Sequence, residues 1–210
     1  MPMKVVCKQW IDGFDVSGFH IDDVLLLIKE AYAERAKEGI SFATLSYSVE
    51  DLNSERTDAD YWFLAFDENE DLCGTARLTI KDNFGEICNF AVSPQKQGKH
   101  VGSLLLQAAN RFAKEQELEY VLSYTAMKAA SSVKCHCNNG FRIVGICFNL
   151  EKEYSSFVFR NQLSSSIFWN SKVLLRLRFV FFYTMYRLIK TADGKNTIVG
   201  RLLLFFKQKL

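Results

Sequence analysis

The sequence predicts an α+β domain built on a mixed, mostly antiparallel sheet flanked by helices, followed by a basic helical extension. Three observations carry this. Strand-like and helix-like segments succeed one another in the order β, α, α, β, β, β, α, β, α, β, β. One step, from the strand at 86–92 through the helix at 102–116 to the strand at 119–125, reads as a parallel crossover in an otherwise mostly antiparallel sheet. Charge then divides the chain. From Ser155 to the end there are ten Lys/Arg and one acid, Asp193, a net of +9, against sixteen Lys/Arg and twenty-three acids before it, a net of −7. The polar "NQLSSS" marks a boundary, giving a domain at 1–163 and an amphipathic extension at 164–210.

The elements follow in order. "MKVVCKQW" reads as a strand. "HIDDVLLLIKEAYAERAKEG" is a helix, with Val24, Leu27, Ile28, Ala31 and Arg35 at helical spacing and Gly39 to stop it. "SVEDLNSERTDA" is a shorter polar helix. "DYWFLAF" and "LCGTARLTI" are strands joined by the loop "DENED". "EICNFAV" is apolar on both faces apart from Glu86 and Asn89, which suits a central strand. In "GSLLLQAANRFAKEQE" the residues Val101, Leu104, Leu105, Ala108 and Phe112 mark one helix face. "EYVLSYT" is a strand, "AASSVKCHCNN" a short helix, "FRIVGICFNL" a strand and "SSFVFRNQL" the last strand.

Hydrophobic residues make up 49% and charged residues 24%, a globular composition. The N-terminal "MPMKVVCKQWIDGFD" carries acids too early for a signal peptide, so the expected location is cytoplasmic, with the six cysteines reduced. "CHC" at 135–137 packs three ligand types too closely for a tetrahedral site, and no standard zinc spacing completes it, so no metal is expected.

The stretch "NFAVSPQKQGKHVGSLLLQ" runs from a strand through a glycine-containing basic turn into a helix. A helix start presents unpaired N–H groups and the positive dipole end, and glycines let a ligand approach the backbone. Lys96 and Lys99 add charge. The turn reads either as a phosphate or pyrophosphate cradle or as an ordinary strand–helix turn; it matches neither a Walker A loop nor a dinucleotide fingerprint.

The element order, with "AVSPQKQGKHVGSLLL" at its centre, resembles the GNAT superfamily, the Gcn5-related N-acetyltransferases. That family's motif is Gln/Arg-x-x-Gly-x-Gly/Ala. Gln97 matches its first position and Gly102 its last, while His100 replaces the middle glycine. Downstream, Gly140 and Phe141 match the family's Gly-Phe, and His136 occupies the usual Tyr position. The resemblance covers roughly residues 3 to 163. It implies an enzyme that moves an acetyl group directly from acetyl-CoA, as co-substrate, to an amine acceptor. Backbone groups of Phe90, Ala91 and Val92 would lie along the pantetheine. The N–H groups of Gln97, Gly98, Lys99, His100, Val101, Gly102 and Ser103 would cradle the pyrophosphate. With negative φ and an outward side chain, His100 leaves that cradle intact.

Such chemistry needs a base for the ammonium and an acid for the leaving thiolate. "FGEICNFAVS" resembles the strand that carries the base in the histone-acetyltransferase branch, so Glu86 is the candidate base. An apolar strand would raise its pKa; a solvated strand-end carboxylate is the plainer reading. His136 is the candidate acid by position, or else a hydrogen-bonded core histidine, with Tyr124 in reserve. His20 reads as a cap or surface residue. Asp12, Asp15, Asp22, Asp23, Glu50 and Asp51 could attract a cationic amine, or serve as helix N-terminal residues.

In the extension, Lys172, Arg176, Arg187 and Lys190 fall on one helical stripe among apolar and aromatic residues. Eight uncharged residues separate Arg178 from Arg187, short of the span of about 20 that crosses a bilayer. The segment reads as an in-plane helix on an anionic membrane at the inner face, or as a helix packed on the domain or on a second subunit. No nucleic-acid motif is visible. Besides the small-molecule or glycan amine acetyltransferase, two alternatives stay open. One is a non-catalytic acyl-CoA-binding or regulatory module; the other is an enzyme acting on a sugar of a membrane-linked glycan.

Overall fold

The computed structural model describes residues 3–9, 15–16, 19–37, 39–40, 42–149, 154–165, 172–191 and 195–207. Its strands are β1 (Lys4–Gln9), β2 (Asp15–Val16), β3 (Phe19–His20), β4 (Asp60–Phe66), β5 (Leu72–Lys81), β6 (Phe84–Val92), β7 (Tyr120–Ala126), β8 (Arg142–Cys147) and β9 (Ser156–Gln162). Its helices are α1 (Ile21–Ala36), α2 (Val49–Ser54), α3 (Val101–Glu115), α4 (Ala130–Asn138), α5 (Lys172–Ile189) and α6 (Ile198–Lys207).

The strand β4 is apolar at nearly every position, so both its faces must be covered. Trp62, Leu64 and Phe66 pack beneath α1 and α2, while Phe63 and Ala65 pack beneath α3. This alternation places one core on each side of the sheet. The seven-stranded order is β1-β4-β5-β6-β7-β9-β8, and β6–β7 is its parallel pair. The last strand, β9, inserts between β7 and β8, an arrangement the linear pattern did not reveal. A separate two-residue ladder, β2–β3, precedes α1.

The acids of the N-terminal half act at helix starts. His20 holds the N-cap position of α1, and its N–H donates to Asp23 Oδ2 at 3.4 Å. Ser48 and Asp51 form a reciprocal capping box on α2, at 2.8 and 3.2 Å. Asp12 lies outside the described residues, and the side chain of Asp15 is likewise undescribed.

Two expectations change. The buried stripe of α3 is Val101, Leu105, Leu106, Ala109 and Ala113, rotated from the predicted face. Leu104 and Ala108 are only half-buried, and Phe112, also half-buried, packs against Tyr61 of β4, ring centroids 4.5 Å apart. At Gly74 an added Cβ would lie 2.7 Å from Val101 Cγ1 and 3.0 Å from Leu105 Cδ1, the two residues common to the predicted and the observed face. That missing side chain seats the 101/105 ridge. The extension, predicted as one helix, is a hairpin of two. Thr197 joins them, its hydroxyl donating to Leu188 O at 2.6 Å and accepting from Gly200 N at 3.2 Å. Lys190 leaves the predicted basic stripe, being 1% exposed at the hairpin turn, where it bridges to Asn196. Among the described residues no helix is long and apolar enough to cross a membrane.

Candidate functional site

The parallel pair β6–β7 is joined only from Phe84↔Tyr120 to Ile87↔Ser123, after which the strands part. On its other side β6 stays paired to β5, but the register slips. Thr75 faces Ala91 and Arg77 faces Cys88, so Asn89 and Phe90 together oppose Ala76. This is a β-bulge. Asn89 takes φ 49°, a left-handed conformation that asparagine adopts more readily than most residues. Its side-chain Oδ1 is buried without a hydrogen bond. The edge of β6 from Cys88 to Val92 therefore faces a gap, not a strand. Its backbone groups are available to an extended ligand, as a sheet edge is.

The gap is a groove of about 410 Å³. Phe90, Ala91 and Val92 form its β6 wall; Tyr124 and Thr125 stand on the β7 side; Ser131, Ser132 and Cys135 of α4 close one flank, and Tyr32 and Arg35 of α1 the other. Gln97, Gly98, His100, Val101, Gly102 and Ser103 line the end where α3 begins. Of the predicted cradle only the Lys99 side of the turn is absent from that lining.

The turn has the shape an anion needs. Gly98 has φ 78°, and His100, the N-cap of α3, has φ 63° and ψ 5°. Two left-handed residues so closely spaced make a concave run of N–H groups. His100 thus does not meet the condition of negative φ on which the sequence reading let the cradle survive. His100 O accepts the first helical bond of α3 from Leu104 N at 3.1 Å, and His100 adopts the left-handed conformation open to the glycine that the motif has at this position. Gly102 is needed for closeness. A Cβ there would meet Phe90 Cζ at 3.1 Å and Cys135 Sγ at 3.2 Å. Lys96 lines the groove but is paired with Asp67. That hydrogen bond holds the Asp67 carboxyl below the usual carboxylate range.

Arg35, Lys96 and Lys134 line the groove, and among the described residues no Asp or Glu does. Such a lining suits an anionic ligand. Asp22, Asp23, Glu50 and Asp51 are not among the lining residues.

His136 is 0% exposed and does not line the groove. Its Nδ1 lies 2.8 Å from Ser132 O, a carbonyl that can only accept. Nδ1 therefore carries the proton, and Nε2 accepts from Ser123 Oγ at 2.9 Å. Phe90, Phe141 and Phe159 surround the ring, with centroids 5.2, 5.2 and 5.0 Å away. Burial lowers its pKa, partly opposed by the Ser132 bond. The surroundings are those of a hydrogen-bonded core histidine. The "CHC" side chains diverge: Cys135 toward the groove, His136 inward, Cys137 to solvent.

Glu86 lies on the opposite face of β6 from Ile87 and is ion-paired with Lys81. In the register it stands beside Leu122, one alternation before Cys88 and Tyr124, where the strands separate. Its setting is thus polar, not the apolar one the strand sequence suggested. Tyr124 is 46% exposed and lines the groove. Burial and the nearby Glu86 charge both raise its hydroxyl pKa, so it stays protonated at neutral pH.

Sequence reasoning missed Asn89 as the bulge residue and Asn139 as a tie. Asn139 Nδ2 donates to Ser103 Oγ at 3.0 Å and to Cys135 O at 2.8 Å, and Oδ1 accepts from Gln107 at 3.1 Å, clamping α3 to α4. A lone Asn in an apolar strand was the available signal for the first.

The model of the acetyltransferase (GNAT) family matches residues 26–141, more than half of the chain. A search of curated protein sequences gives no match. Solved structures with the same fold include a probable acetyltransferase from Staphylococcus epidermidis, with TM-score 0.61 and 17% identity, covering 78% of this chain and 100% of that one. The ribosomal-protein-S18-alanine N-acetyltransferase of Escherichia coli has TM-score 0.60 and 11% identity, covering 78% and 96%. An IAA acetyltransferase from Bacillus cereus has TM-score 0.55 and 18% identity, covering 76% and 100%. With its split strands, bulge and glycine-like turn at the start of α3, the chain belongs to the GNAT family of acetyltransferases.

Proposed function

We propose that this chain transfers an acetyl group directly from acetyl-CoA to the amine of a small-molecule or glycan acceptor. Glu86 takes a proton through water, and Tyr124 returns one to the leaving sulfur. The observation that carries the reading is the open edge of β6 at its bulge, meeting the N–H-rich turn 97–103. The fit to acetyl-CoA rests on that turn, on the cationic side chains among the described groove residues and on the unpartnered Asn89 Oδ1. When bound, acetyl-CoA supplies an acyl carbon activated by a thiolate leaving group. Within the turn from Gln97 to Ser103, the N–H groups of Gly98 and of His100 to Ser103 hold its pyrophosphate, those of Gln97 and Lys99 being bonded to Pro94 O and Lys96 O, and the backbone of Phe90, Ala91 and Val92 aligns its extended arm. The amine forms the N–C bond and loses a proton toward Glu86; the C–S bond breaks, and the Tyr124 hydroxyl protonates sulfur. His136 is a positioning residue, tying α4 to β7 through Ser123.

Turnover is measured as CoA release over an amine panel. Glu86→Gln lowers kcat by about 10²–10³-fold and flattens the rise of rate with pH, with acetyl-CoA affinity unchanged. Tyr124→Phe lowers it less. A Glu86→Gln protein with wild-type turnover and pH profile removes the carboxylate from the mechanism. Acetyl-CoA binding without CoA release on any amine would favour the binding-module reading instead. The second catalytic reading, a sugar on a membrane-linked glycan, is favoured by the outward apolar face of α5.

A further inference from the structure

The extension uses only one side of its first helix on the domain. Phe182 reaches Gly145 of β8, where an added Cβ would lie 3.7 Å from its ring, and Phe179 sits with its centroid 6.3 Å from that of Phe157 on β9. Tyr186 and Ile189 are buried on the same side. Phe179, Phe182 and Tyr186, aromatics of the amphipathic extension, thus face the protein.

The opposite side is apolar and open. Val173, Leu177, Val180, Phe181 and Leu188 are exposed, Leu177 and Phe181 at 62% each. Their spacing of four, three, one and seven residues places them on one stripe of the helix. Arg176 and Arg187, both exposed, stand eleven residues apart, three turns, on one edge of that stripe. Across the hairpin, Ile198, Val199 and Leu203 of α6 are also exposed, beside Arg201.

We propose that the outer face of the α5–α6 hairpin docks in the plane of an anionic lipid membrane. The charge decides the occupant. The described outer face carries Arg176, Arg187 and Arg201, and neither α5 nor α6 contains an acid, so a second copy related by a two-fold axis would set like charge against like. A nucleic acid would meet the arginines but give the exposed apolar stripe no apolar partner. The interface of an anionic bilayer receives both, with the stripe at the acyl boundary and the arginines among the phosphates. Attachment is in-plane, because no described helix can cross.

The test uses the full chain and sedimentation with vesicles of phosphatidylcholine alone, or of phosphatidylcholine and phosphatidylglycerol in equal parts. Binding to the anionic vesicles at low salt, reduced about tenfold or more on neutral vesicles or at high salt, is the expected result. The double variant Leu177→Glu/Phe181→Glu abolishes binding, and Arg176→Gln/Arg187→Gln weakens it about tenfold or more, both with unchanged melting temperature because these side chains face outward. No binding to anionic vesicles overturns the proposal, as does full binding by the double glutamate variant. So does a wild-type dimer that the glutamate variant dissociates, which assigns the face to a second copy. Tight binding to duplex DNA that persists in the glutamate variant assigns the cations to nucleic acid and likewise overturns it. CoA release remains a separate readout, so a failed docking test leaves the acetyltransferase assignment standing.

Discussion

His100 stands exposed at the start of α3 with its backbone in the left-handed region. His136 lies within α4, with both ring nitrogens hydrogen-bonded and no exposed surface. Both depart from the residue that the family pattern places there, yet they depart in opposite senses. At position 100 the backbone shape is what the groove needs, and the side chain is carried along by it. At position 136 the side chain is what the fold needs, and the groove-facing roles on α4 pass to Ser132 and Cys135. A substitution in a motif is therefore better read by asking whether backbone or side chain was doing the job.

The largest expected difference between the two sites is in stability. His136→Ala removes a packed ring and leaves the buried Ser123 Oγ without its partner, at a cost of about 3–5 kcal/mol. His100→Ala changes stability by less than about 1 kcal/mol, because the side chain is in solvent. Urea unfolding of both variants measures this, and equal losses would break the comparison.

The next effect is on binding. Gly102→Val drives a branched side chain against Phe90 Cζ and Cys135 Sγ, which both line the groove. Gly102 is not among the left-handed residues, so valine adds no backbone strain there. Acetyl-CoA affinity falls by about ten- to a hundredfold, or about 1.4–2.8 kcal/mol, in a protein that still folds. Calorimetry on the folded variant decides it, and unchanged affinity would move the pyrophosphate away from this turn.

Much of this was legible in advance, and the reasons are local. Strands such as "DYWFLAF" and helices such as α1 announce themselves by period, and the turn at 97–102 announces itself by glycine. What the sequence hid depends on pairs of residues distant along the chain. The 101/105 ridge of α3 is seated by the absent Cβ of Gly74, twenty-seven positions before Val101, a contact that no pattern within the helix reveals. The burial of His136 depends on Ser123 and on three phenylalanines from two strands and the turn after α4. Lys190 counted as a stripe cation until the second helix folded back over it. Glu86 was read from its own strand, whereas its partner Lys81 lies across the β5–β6 turn.

A smaller effect sharpens the His100 side. His100→Gly relieves the left-handed strain of about 1–2 kcal/mol, partly offset by glycine's freedom in the unfolded chain, about 0.5–1 kcal/mol. The expected net gain is about 0.5–1 kcal/mol, with acetyl-CoA affinity kept, while His100→Val loses stability because a β-branched residue resists positive φ. A His100→Gly protein less stable than wild type would show that the imidazole itself holds the turn.

The smallest effect involves one proton at His136. Burial lowers its pKa below the ordinary value of 6.5, and the Ser132 carbonyl only partly opposes this. The folded protein therefore binds that proton less readily than the unfolded chain does. Wherever the unfolded state holds more protons, stability rises with pH. The contribution of neutral His136 is complete above the ordinary histidine range and is lost as pH falls below 6.5 toward the lowered folded value. Unfolding midpoints measured across that window should decline with acidification in the wild type. In His136→Gln the amide can still hydrogen-bond but does not titrate, so the midpoint starts lower and the slope in that window flattens. An unchanged slope would mean that another group titrates there, and the contrast between a structural and an incidental histidine would then rest on the stability measurements alone.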